Sequence, residues 1–484
     1  MGDGMKKTLL KGTLFLTITA FIAKLLSLVY KIPYQNITGD LGFYVYQTVY
    51  PLFSMVTLFA TYSIPLVTSE SIIQKRIGSL SYYRKRIVSH FWFIAFILLL
   101  FSPMIAKGFN DSNFQSFIVL LSILLLVIPF QGIDRGVLYA NEKSIYKVGI
   151  SNLIEQSVRV LFIGLSLYLF SRYERMNHYQ VAQFSYVALL LGCFSSFFYL
   201  RWTKKEPIVC HHERKERAIV KGSIKRMWLL TLSASLLLLM HLMDGLTITH
   251  HLKGVSLKEA QQLKGVYDRG LPIIQGALFF VSPFIGSYTP YLKKYNKPYR
   301  ELVEMVLLIA LPATVGLVIV FPELNQRLFN DLQATNILRL NLLIVVLYGV
   351  LLTYMAIPSN ANTKHNYSLI FLTIGLKVGL NVIFLPRVGL IGAVYSNLLS
   401  LTFLLISYMV MNRYSVRLSV KNVLKIGIAA LMMGGIVYAC GTLPVTYPII
   451  LQVMVGVFVY IVIILLLNPL NIRDELKIMI NSWG

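Results

Sequence analysis

The sequence has few charged residues and almost no cysteine for its length. Only 13% of its 484 residues are charged, whereas soluble domains carry about 25%. Three isolated cysteines, Cys193, Cys210 and Cys440, form neither a disulfide framework nor a cluster of metal ligands. Acidic residues are scarce, since 20 Asp and Glu accompany 45 Lys and Arg, a formal net charge of +25. The composition excludes an ordinary soluble or disulfide-stapled protein, and the positive charge has to be located before a partner is inferred.

Enzyme motifs are also missing. The sequence contains no H-E-x-x-H zinc motif, no G-x-S-x-G nucleophile elbow and no G-x-x-x-x-G-K-[ST] phosphate-binding loop. The predicted external loops are short and leave little room for a catalytic domain. We therefore predict that the protein is not an enzyme and that it holds no cofactor and no metal.

Apolar runs are what the sequence has in abundance. Hydrophobic residues make up 56% of the chain, and the mean hydropathy is +0.67. A helix needs about 20 apolar residues to cross the bilayer core, and lipid offers no partner to the backbone of other structures. Fourteen runs are long enough, with approximate cores at residues 8–29, 41–66, 85–106, 114–138, 144–169, 182–201, 226–250, 262–291, 301–321, 334–357, 365–385, 388–411, 423–441 and 447–467. The predicted fold is an all-α integral membrane protein with about 14 transmembrane helices.

Lysine and arginine concentrate on one side of these predicted spans. With the N-terminus in the cytoplasm, about 31 of the 45 Lys and Arg are cytoplasmic and about 11 are external. This asymmetry follows the positive-inside rule and accounts for most of the net charge. We therefore predict cytoplasmic N- and C-termini and no nucleic-acid partner.

A polar segment separates the first six spans from the next six. We predict an N-terminal lobe over residues 1–201, a cytoplasmic linker over 202–225, a C-terminal lobe over 226–411 and two additional helices within 412–484. Repeated halves are typical of transporters whose substrate path lies between them. The linker contains Cys210-His211-His212-Glu213, which is either a metal-binding run or a solvated linker, because contiguous residues are not spaced as tetrahedral ligands.

Two lysines lie in or near the first predicted span. Charges at membrane depth are costly, and those that remain have a function by default. Lys24 and Lys31 are seven residues apart, about two helical turns, so both project from one helix face. Lys31 is alternatively a snorkelling lysine at the membrane interface. Lys24 lies more than a turn deeper, and we predict that it faces the bundle interior.

The eighth predicted span contains an arginine beside a predicted helix break. Ser256 and Glu259 form an S-x-x-E capping box, which places a helix start near residue 256. Asp268 and Arg269 lie about three turns further on, ~18–20 Å along the axis. Pro272 is expected to kink or break the helix just beyond them. An arginine in this setting suits an anion site, and the alternative is an Asp268–Arg269 pair on the surface.

Two further pairs of intramembrane charges are predicted from spacing and cost. Glu155 and Arg159 stand at i and i+4 in the fifth span and can neutralise each other on one helix face. Asp244 lies in the seventh span and Lys377 near the middle of the eleventh. Because either charge alone would be costly in the membrane, we predict that Asp244 and Lys377 face each other.

Three stretches of the sequence resemble a known transporter group. Residues 23–39 (AKLLSLVYKIPYQNITG), residues 134–160 and residues 267–272 (YDRGLP) are similar to motifs of the MurJ and stage V sporulation protein B group. This group belongs to the multidrug/oligosaccharidyl-lipid/polysaccharide exporter superfamily. The matching positions are Lys24, Lys31, Gly39, Glu155, Gln156, Arg159 and Arg269.

The resemblance implies a flippase of the bacterial cytoplasmic membrane. Its substrate would be a polyprenyl-pyrophosphate-linked sugar, such as lipid II, moved from the inner to the outer leaflet by alternating access. Lys24, Lys31 and Arg269 would contact the pyrophosphate, since ammonium and guanidinium groups suit phosphate oxygens. The supporting intramembrane charges would be Asp244, Lys377, Asp268, Glu155 and Arg159. The implied partners are the bilayer and a cell-wall or polysaccharide polymerase, and the lipid tail would lie in the bilayer or along a groove of the last two helices.

Two departures from the group limit what the resemblance implies. Members of the group often have an arginine in the second helix, and Tyr50-Pro51-Leu52-Phe53 lacks one. Some relatives have a sodium site between the seventh and eleventh helices, where Asp244 fits but Lys377 stands in place of a cation ligand. An ammonium there can replace the ion, so we predict no sodium coupling and leave the proton gradient and the membrane potential open.

Two other functions stay open at this point. A drug or cation antiporter of the same superfamily would use intramembrane acids to bind its substrate, whereas the cavity residues placed here are mainly basic. A membrane scaffold without transport would have a sealed, uncharged lobe interface.

Overall fold

The computed structural model is α-helical, and no strand occurs among the residues that it describes. These residues are 15, 18–77, 79–141, 144–173, 176–203, 216–279, 281, 284–285, 288, 292, 298–357, 363–412, 416, 418–443 and 448–471. The predicted all-α fold is confirmed. The linker run Cys210-His211-His212-Glu213 lies outside the described residues, and within them no group of three or more His, Cys, Asp or Glu is arranged to hold a metal ion.

The helices are numbered here in chain order. They are α1 (residues 18–29), α2 (Lys31–Leu58), α3 (Ile64–Ile73), α4 (Leu80–Leu100), α5 (Ser102–Gly108), α6 (Gln115–Ala140), α7 (Ile145–Arg172), α8 (His178–Thr203), α9 (Glu216–Ala234), α10 (Leu236–His251), α11 (Leu257–Asp268), α12 (Gly270–Leu278), α13 (Arg300–Phe329), α14 (Thr335–Asn341), α15 (Ile344–Ala356), α16 (Thr363–Val388), α17 (Ile391–Met411), α18 (Val420–Gly441) and α19 (Pro448–Leu467). A π-helical turn, Phe59–Ser63, joins α2 to α3. Short 3₁₀ helices lie at Ser112–Phe114 and Pro469–Asn471.

Most of these helices are long and apolar enough to cross a membrane. Among the described residues ten meet this condition, and up to twelve do if each of two sharply bent pairs, α4 with α5 and α9 with α10, counts as one span. One of the ten, Ile18–Ile73, covers two of the predicted spans. The predicted span at 262–291 includes residues outside the described part. The chain is a multi-pass membrane protein, and the count of fourteen stays a prediction that is consistent with this structure.

The first two predicted spans are separated by a backbone break at Gly39. Residues 18–73 would form a rod of roughly 84 Å if straight, far longer than the ~30 Å bilayer core. Gly39 has φ 69° and ψ −176°, a conformation open to glycine because it lacks a Cβ atom. The chain can therefore leave one span and enter the next within α2. The apolar pattern alone locates this break only to within a few residues.

The chain divides into two compact units. The first contains Met1–His250 and Gly254–Gly265, and the second contains His251–Lys253 and Val266–Gly484. In the first unit α6 packs against α3, α4 and α8, and α7 packs against α8. In the second unit α13 packs against α15 and α18, α16 against α17, and α18 against α19. The first unit thus also contains α9 and α10, while the predicted lobe boundaries and the linker at 202–225 stay a prediction.

Candidate functional site

The polar centre of the first unit is a carboxylate held by two arginines. Glu155 on α7 is 1% exposed, and its Oε2 atom accepts hydrogen bonds from Arg135 Nη2 at 2.9 Å and Gln131 Nε2 at 2.8 Å. The predicted contact with Arg159 is present but longer, with Nη2 3.3 Å from Oε1. Arg135 on α6 is therefore the principal partner of Glu155, a role that spacing along α7 did not reveal.

Arg135 makes four hydrogen bonds in this network. Its Nε donates to Ser151 Oγ, its Nη1 to the carbonyl of Ala60, and its Nη2 also to Ser196 Oγ. Ala60 lies in the π-helical turn, and such turns place backbone carbonyls outside the regular helical ladder. Four of its five N–H donors are used within the protein, so we assign Arg135 a structural role.

Methionine in place of Arg135 is expected to destabilise the protein by about 3–5 kcal/mol, because Glu155 would be left as a buried charge without its main partner. The same change at Arg159 is expected to have a smaller effect, because it removes one long hydrogen bond. Thermal unfolding of the two variants in the same detergent measures the difference. Equal unfolding temperatures for both variants would contradict the assignment of Arg135 as the structural partner.

Arg159 retains most of its hydrogen-bonding capacity. A guanidinium has five N–H donors, and the one hydrogen bond of Arg159 among the described residues goes to Glu155. Its side chain is only 9% exposed, and its Nε atom is buried without a hydrogen-bond partner. Arg159 lies within electrostatic reach of Lys31, Tyr30 and Tyr46. The guanidinium can therefore accept an additional anion.

Lys31 is buried next to a cluster of tyrosine side chains. It is 1% exposed, and its Nζ atom lies 3.8 Å from the centroid of the Tyr50 ring. The Tyr30 and Tyr46 hydroxyls are 2.6 Å apart, and the Tyr46 ring stacks on Tyr186 at 5.2 Å. A snorkelling lysine keeps its ammonium in water, so the burial of Lys31 does not fit the interfacial alternative.

Lys24 is exposed but does not lie on the apolar stripe of α1. The four most exposed large apolar residues of this helix are Ile18, Ile22, Leu25 and Val29. At about 100° per residue they occupy one sector, and Lys24 projects roughly 130° from its centre. Lys24 also interacts electrostatically with Tyr50 and Lys31. It therefore lies at the accessible edge of the group formed by Lys31 and the tyrosines.

These residues together form what we call the cationic cluster: Lys24, Lys31, Arg135, Arg159 and Glu155. Four cations accompany one carboxylate, so the cluster has an excess of three positive charges. Arg135 and Glu155 satisfy each other, which leaves the two lysines and Arg159 as the groups able to bind an anion. The structure brings Lys24 and Lys31 together, as the seven-residue spacing predicts.

Arg269 lies in the second unit and is paired with a residue that the sequence analysis missed. Its Nη1 donates to Asp331 Oδ2 at 2.8 Å, and its guanidinium lies 5.5 Å from the centroid of the Phe329 ring. Arg269 and Asp268 are 2% and 0% exposed, so they are not the alternative surface pair. Burial raises the pKa of Asp331, but hydrogen bonds from Arg269 and from the Gln333 amide outweigh it and hold that pKa below its usual value.

The helix break next to Arg269 lies slightly earlier than predicted. The capping box is present, with the Ser256 amide donating to Glu259 at 2.9 Å and the Glu259 amide donating to Ser256 Oγ at 3.3 Å. Helix α11 ends at Asp268 and α12 begins at Gly270, so the break lies at Arg269 itself and not just beyond it. Proline has no N–H to bond the carbonyl four residues before it, which is that of Asp268.

The other two predicted charges are buried in different units. In the second unit the Lys377 ammonium donates to Asn381 Oδ1 at 3.1 Å and to the Ala393 carbonyl at 2.9 Å. Asp244 is 0% exposed in α10 of the first unit.

The pairing of Asp244 with Lys377 stays a prediction, and its test is a charge swap. If it holds, Asp244→Lys and Lys377→Asp each lower the unfolding temperature and the double variant recovers; no recovery would disprove it.

Comparison with known proteins identifies the family. The polysaccharide biosynthesis protein family matches residues 9–296, which is more than half of the 484-residue chain. The uncharacterized membrane protein YabM of Bacillus subtilis (strain 168) is 26% identical over 407 residues, covering 79% of this chain and 76% of its own length. The lipid II flippase MurJ of the same organism is 23% identical over 483 residues, covering 89% of this chain and 88% of its own.

A solved structure gives the same answer for the fold. A lipid II flippase MurJ in an inward closed conformation superposes with a TM-score of 0.71 at 14% identity, covering 96% of this chain and 100% of that one. The fold expected from three short motifs is therefore confirmed along almost the whole chain. The chain belongs to the polysaccharide biosynthesis protein family and is a MurJ-like member of the multidrug/oligosaccharidyl-lipid/polysaccharide exporter superfamily.

Proposed function

We propose that the chain is a flippase that moves a polyprenyl-pyrophosphate-linked sugar from the inner to the outer leaflet by alternating access. The substrate is lipid II or a related precursor of a cell-envelope polysaccharide. The relatives support this class of substrate, since one of them is named a lipid II flippase. The protein acts in the bacterial cytoplasmic membrane with both termini in the cytoplasm, and a polymerase of the cell wall or of a polysaccharide uses the product.

The cationic cluster is the observation that supports the proposal most strongly. A pyrophosphate headgroup carries negative charge that water stabilises and a membrane does not. Cations already placed within the protein replace that hydration, and Lys31 and Arg159 are both buried. Arginine adds paired hydrogen bonds to phosphate oxygens. The headgroup reaches Lys24 first, because Lys24 is exposed, and then the deeper pair.

Arg269 is the corresponding candidate in the second unit. In this structure its guanidinium binds the carboxylate of Asp331, whose oxygens resemble those of a phosphate in charge and geometry. A pyrophosphate oxygen replaces the carboxylate when Arg269 takes part in transport. The side chain of Asp331 is 33% exposed, so water can solvate the carboxylate once it is released.

The experiment that tests the proposed function is depletion of the protein in its own host. We expect one lipid-linked sugar to accumulate on the cytoplasmic leaflet, and its identification names the substrate. Accumulation of none, together with altered sensitivity to cationic drugs, would favour a drug or cation antiporter. Accumulation of none without such sensitivity would favour a membrane scaffold.

Sodium is expected not to drive transport. The Lys377 ammonium occupies two oxygen acceptors, Asn381 Oδ1 and the Ala393 carbonyl, of the type that a sodium ion would otherwise take. Replacing sodium by N-methylglucamine in a proteoliposome assay should change the flipping rate by less than twofold. A tenfold loss of the flipping rate without sodium would contradict this prediction. Sodium would then be the main driving ion, ahead of the proton gradient and the membrane potential.

A further inference from the structure

A groove opens on the surface of the first unit between α4 and α6, and none of the residues that line it belongs to the cationic cluster. Its volume is about 680 Å³, and residues from one face of α4 line it together with Phe130 of α6. Arg84, Val88 and Trp92 stand four residues apart along this face, so they follow one another at about 6 Å intervals. The groove therefore runs along the helix and not across it.

One end of the groove is basic. Arg84 Nη2 contacts Asp134 Oδ1 at 2.5 Å, and Arg201 from α8 approaches the other oxygen of Asp134 at 3.5 Å. Lys85 is exposed and makes no ion pair within the described part of the chain. Arg84 and Arg201 thus share one carboxylate while Lys85 adds a third positive charge, and this end keeps an excess of positive charge.

The other end of the groove is apolar and fixed in shape. Trp92 is 48% exposed, but its Nε1 donates to the carbonyl of Leu126 at 3.1 Å, which holds the indole in place. Its ring lies 6.2 Å from that of Phe130, and Val88 continues the wall toward Arg84. From Arg84 to Trp92 the distance along α4 is ~12 Å. The part of an acyl chain nearest its headgroup can lie against the groove over this distance.

We propose that this groove binds an anionic glycerophospholipid of the bilayer. The phosphodiester contacts Arg84 and Lys85, and one acyl chain lies along Val88, Trp92 and Phe130. Charge complementarity selects the anionic headgroup, because juxtamembrane lysine and arginine attract anionic lipids. The apolar wall requires a lipid and not a soluble anion. Together α4 and α5 are long and apolar enough to cross a membrane as one bent span, and in this proposal the groove faces the bilayer.

The test uses the purified full-length protein in neutral detergent, titrated with phosphatidylglycerol or phosphatidylcholine while native mass spectrometry measures the bound fraction. We expect phosphatidylglycerol to bind more tightly. Lys85→Gln should weaken it about fivefold, the effect of one positive charge near a membrane surface. Val88→Trp, which fills the groove, should weaken it with every charge intact. Arg86→Gln is the matched control, since Arg86 lies over the Tyr82 ring at 5.2 Å and does not line the groove.

Four results would overturn the proposal. Equal losses for Lys85→Gln and Arg86→Gln would mean that surface charge alone acts. Equal affinity for phosphatidylcholine would remove the anionic selectivity. Binding of glycerol phosphate as tight as that of phosphatidylglycerol would mean that the groove does not bind an acyl chain. Displacement of phosphatidylglycerol by lower concentrations of polyprenyl monophosphate would assign the groove to the tail of the transported lipid.

Discussion

Methionine in place of Arg159 is expected to slow flipping by about 100-fold while the protein stays folded. Within the described part of the chain Arg159 makes one hydrogen bond and its Nε has no partner, so it can donate to a phosphate. Each hydrogen bond to a charged group contributes about 1.5–3 kcal/mol. Loss of a paired contact therefore removes at least ~3 kcal/mol of substrate stabilisation. The measurement is the initial rate at which proteoliposomes translocate a fluorescent lipid-linked sugar, normalised to folded protein.

Lysine at the same position provides the internal control. Arg159→Lys keeps the charge but loses the planar pair of donors, so we expect a rate between those of the wild type and Arg159→Met. A wild-type rate for Arg159→Met would show that the arginine does not meet the substrate. A drop in unfolding temperature as large as that of Arg135→Met would show instead that Arg159 serves the fold.

Alanine in place of Arg269 is expected to abolish complementation of a depleted strain without lowering the amount of protein in the membrane. Its ion-pair partner Asp331 lies partly in solvent and can be hydrated once the arginine is removed, so the fold should tolerate the change. Asp331→Asn should preserve transport, because it weakens the ion pair with Arg269 and keeps the guanidinium that binds the substrate. Quantitative immunoblotting of membranes accompanies the growth assay. Normal growth with Arg269→Ala would remove this residue from the site.

The Arg269–Asp331 pair should not respond to pH in the physiological range. The folded-state pKa of Asp331 lies below its usual value, so the pair stabilises the protein at every pH above that usual value. This stability is lost only as the pH falls through the lowered pKa. Between pH 5 and pH 8 the wild type and Asp331→Asn should differ by a constant offset in unfolding temperature. A difference that grows as the pH falls from 8 to 5 would contradict the lowered pKa.

Features that depend on neighbours along the chain could be predicted from the sequence. The apolar runs gave the helical membrane fold, and the S-x-x-E spacing gave the start of α11. The seven-residue interval gave the proximity of Lys24 and Lys31. These predictions succeed because helix periodicity and the bilayer thickness constrain short stretches directly.

Contacts between distant parts of the chain could not be predicted in this way. Arg135 is 20 residues from Glu155, and Asp331 is 62 residues from Arg269. Spacing along one helix suggests an i,i+4 partner for Glu155 because no competing arginine is visible within that helix. Only the packing of α6 against α7 places Arg135 beside Glu155 and leaves Arg159 available. The helix break lies at Arg269, next to its predicted place just beyond Arg269, because proline acts on the carbonyl four positions earlier.

The most direct test of the cationic cluster compares substrates that differ only in their headgroup charge. Binding of a polyprenyl pyrophosphate and of the uncharged polyprenol is measured with the wild-type protein and with the Lys31→Met/Arg159→Met variant in identical nanodiscs. We predict that the wild type prefers the pyrophosphate by at least 100-fold and that the variant loses this preference. Equal affinity of the wild type for both lipids, or an unchanged preference in the variant, would contradict the role assigned to the cluster.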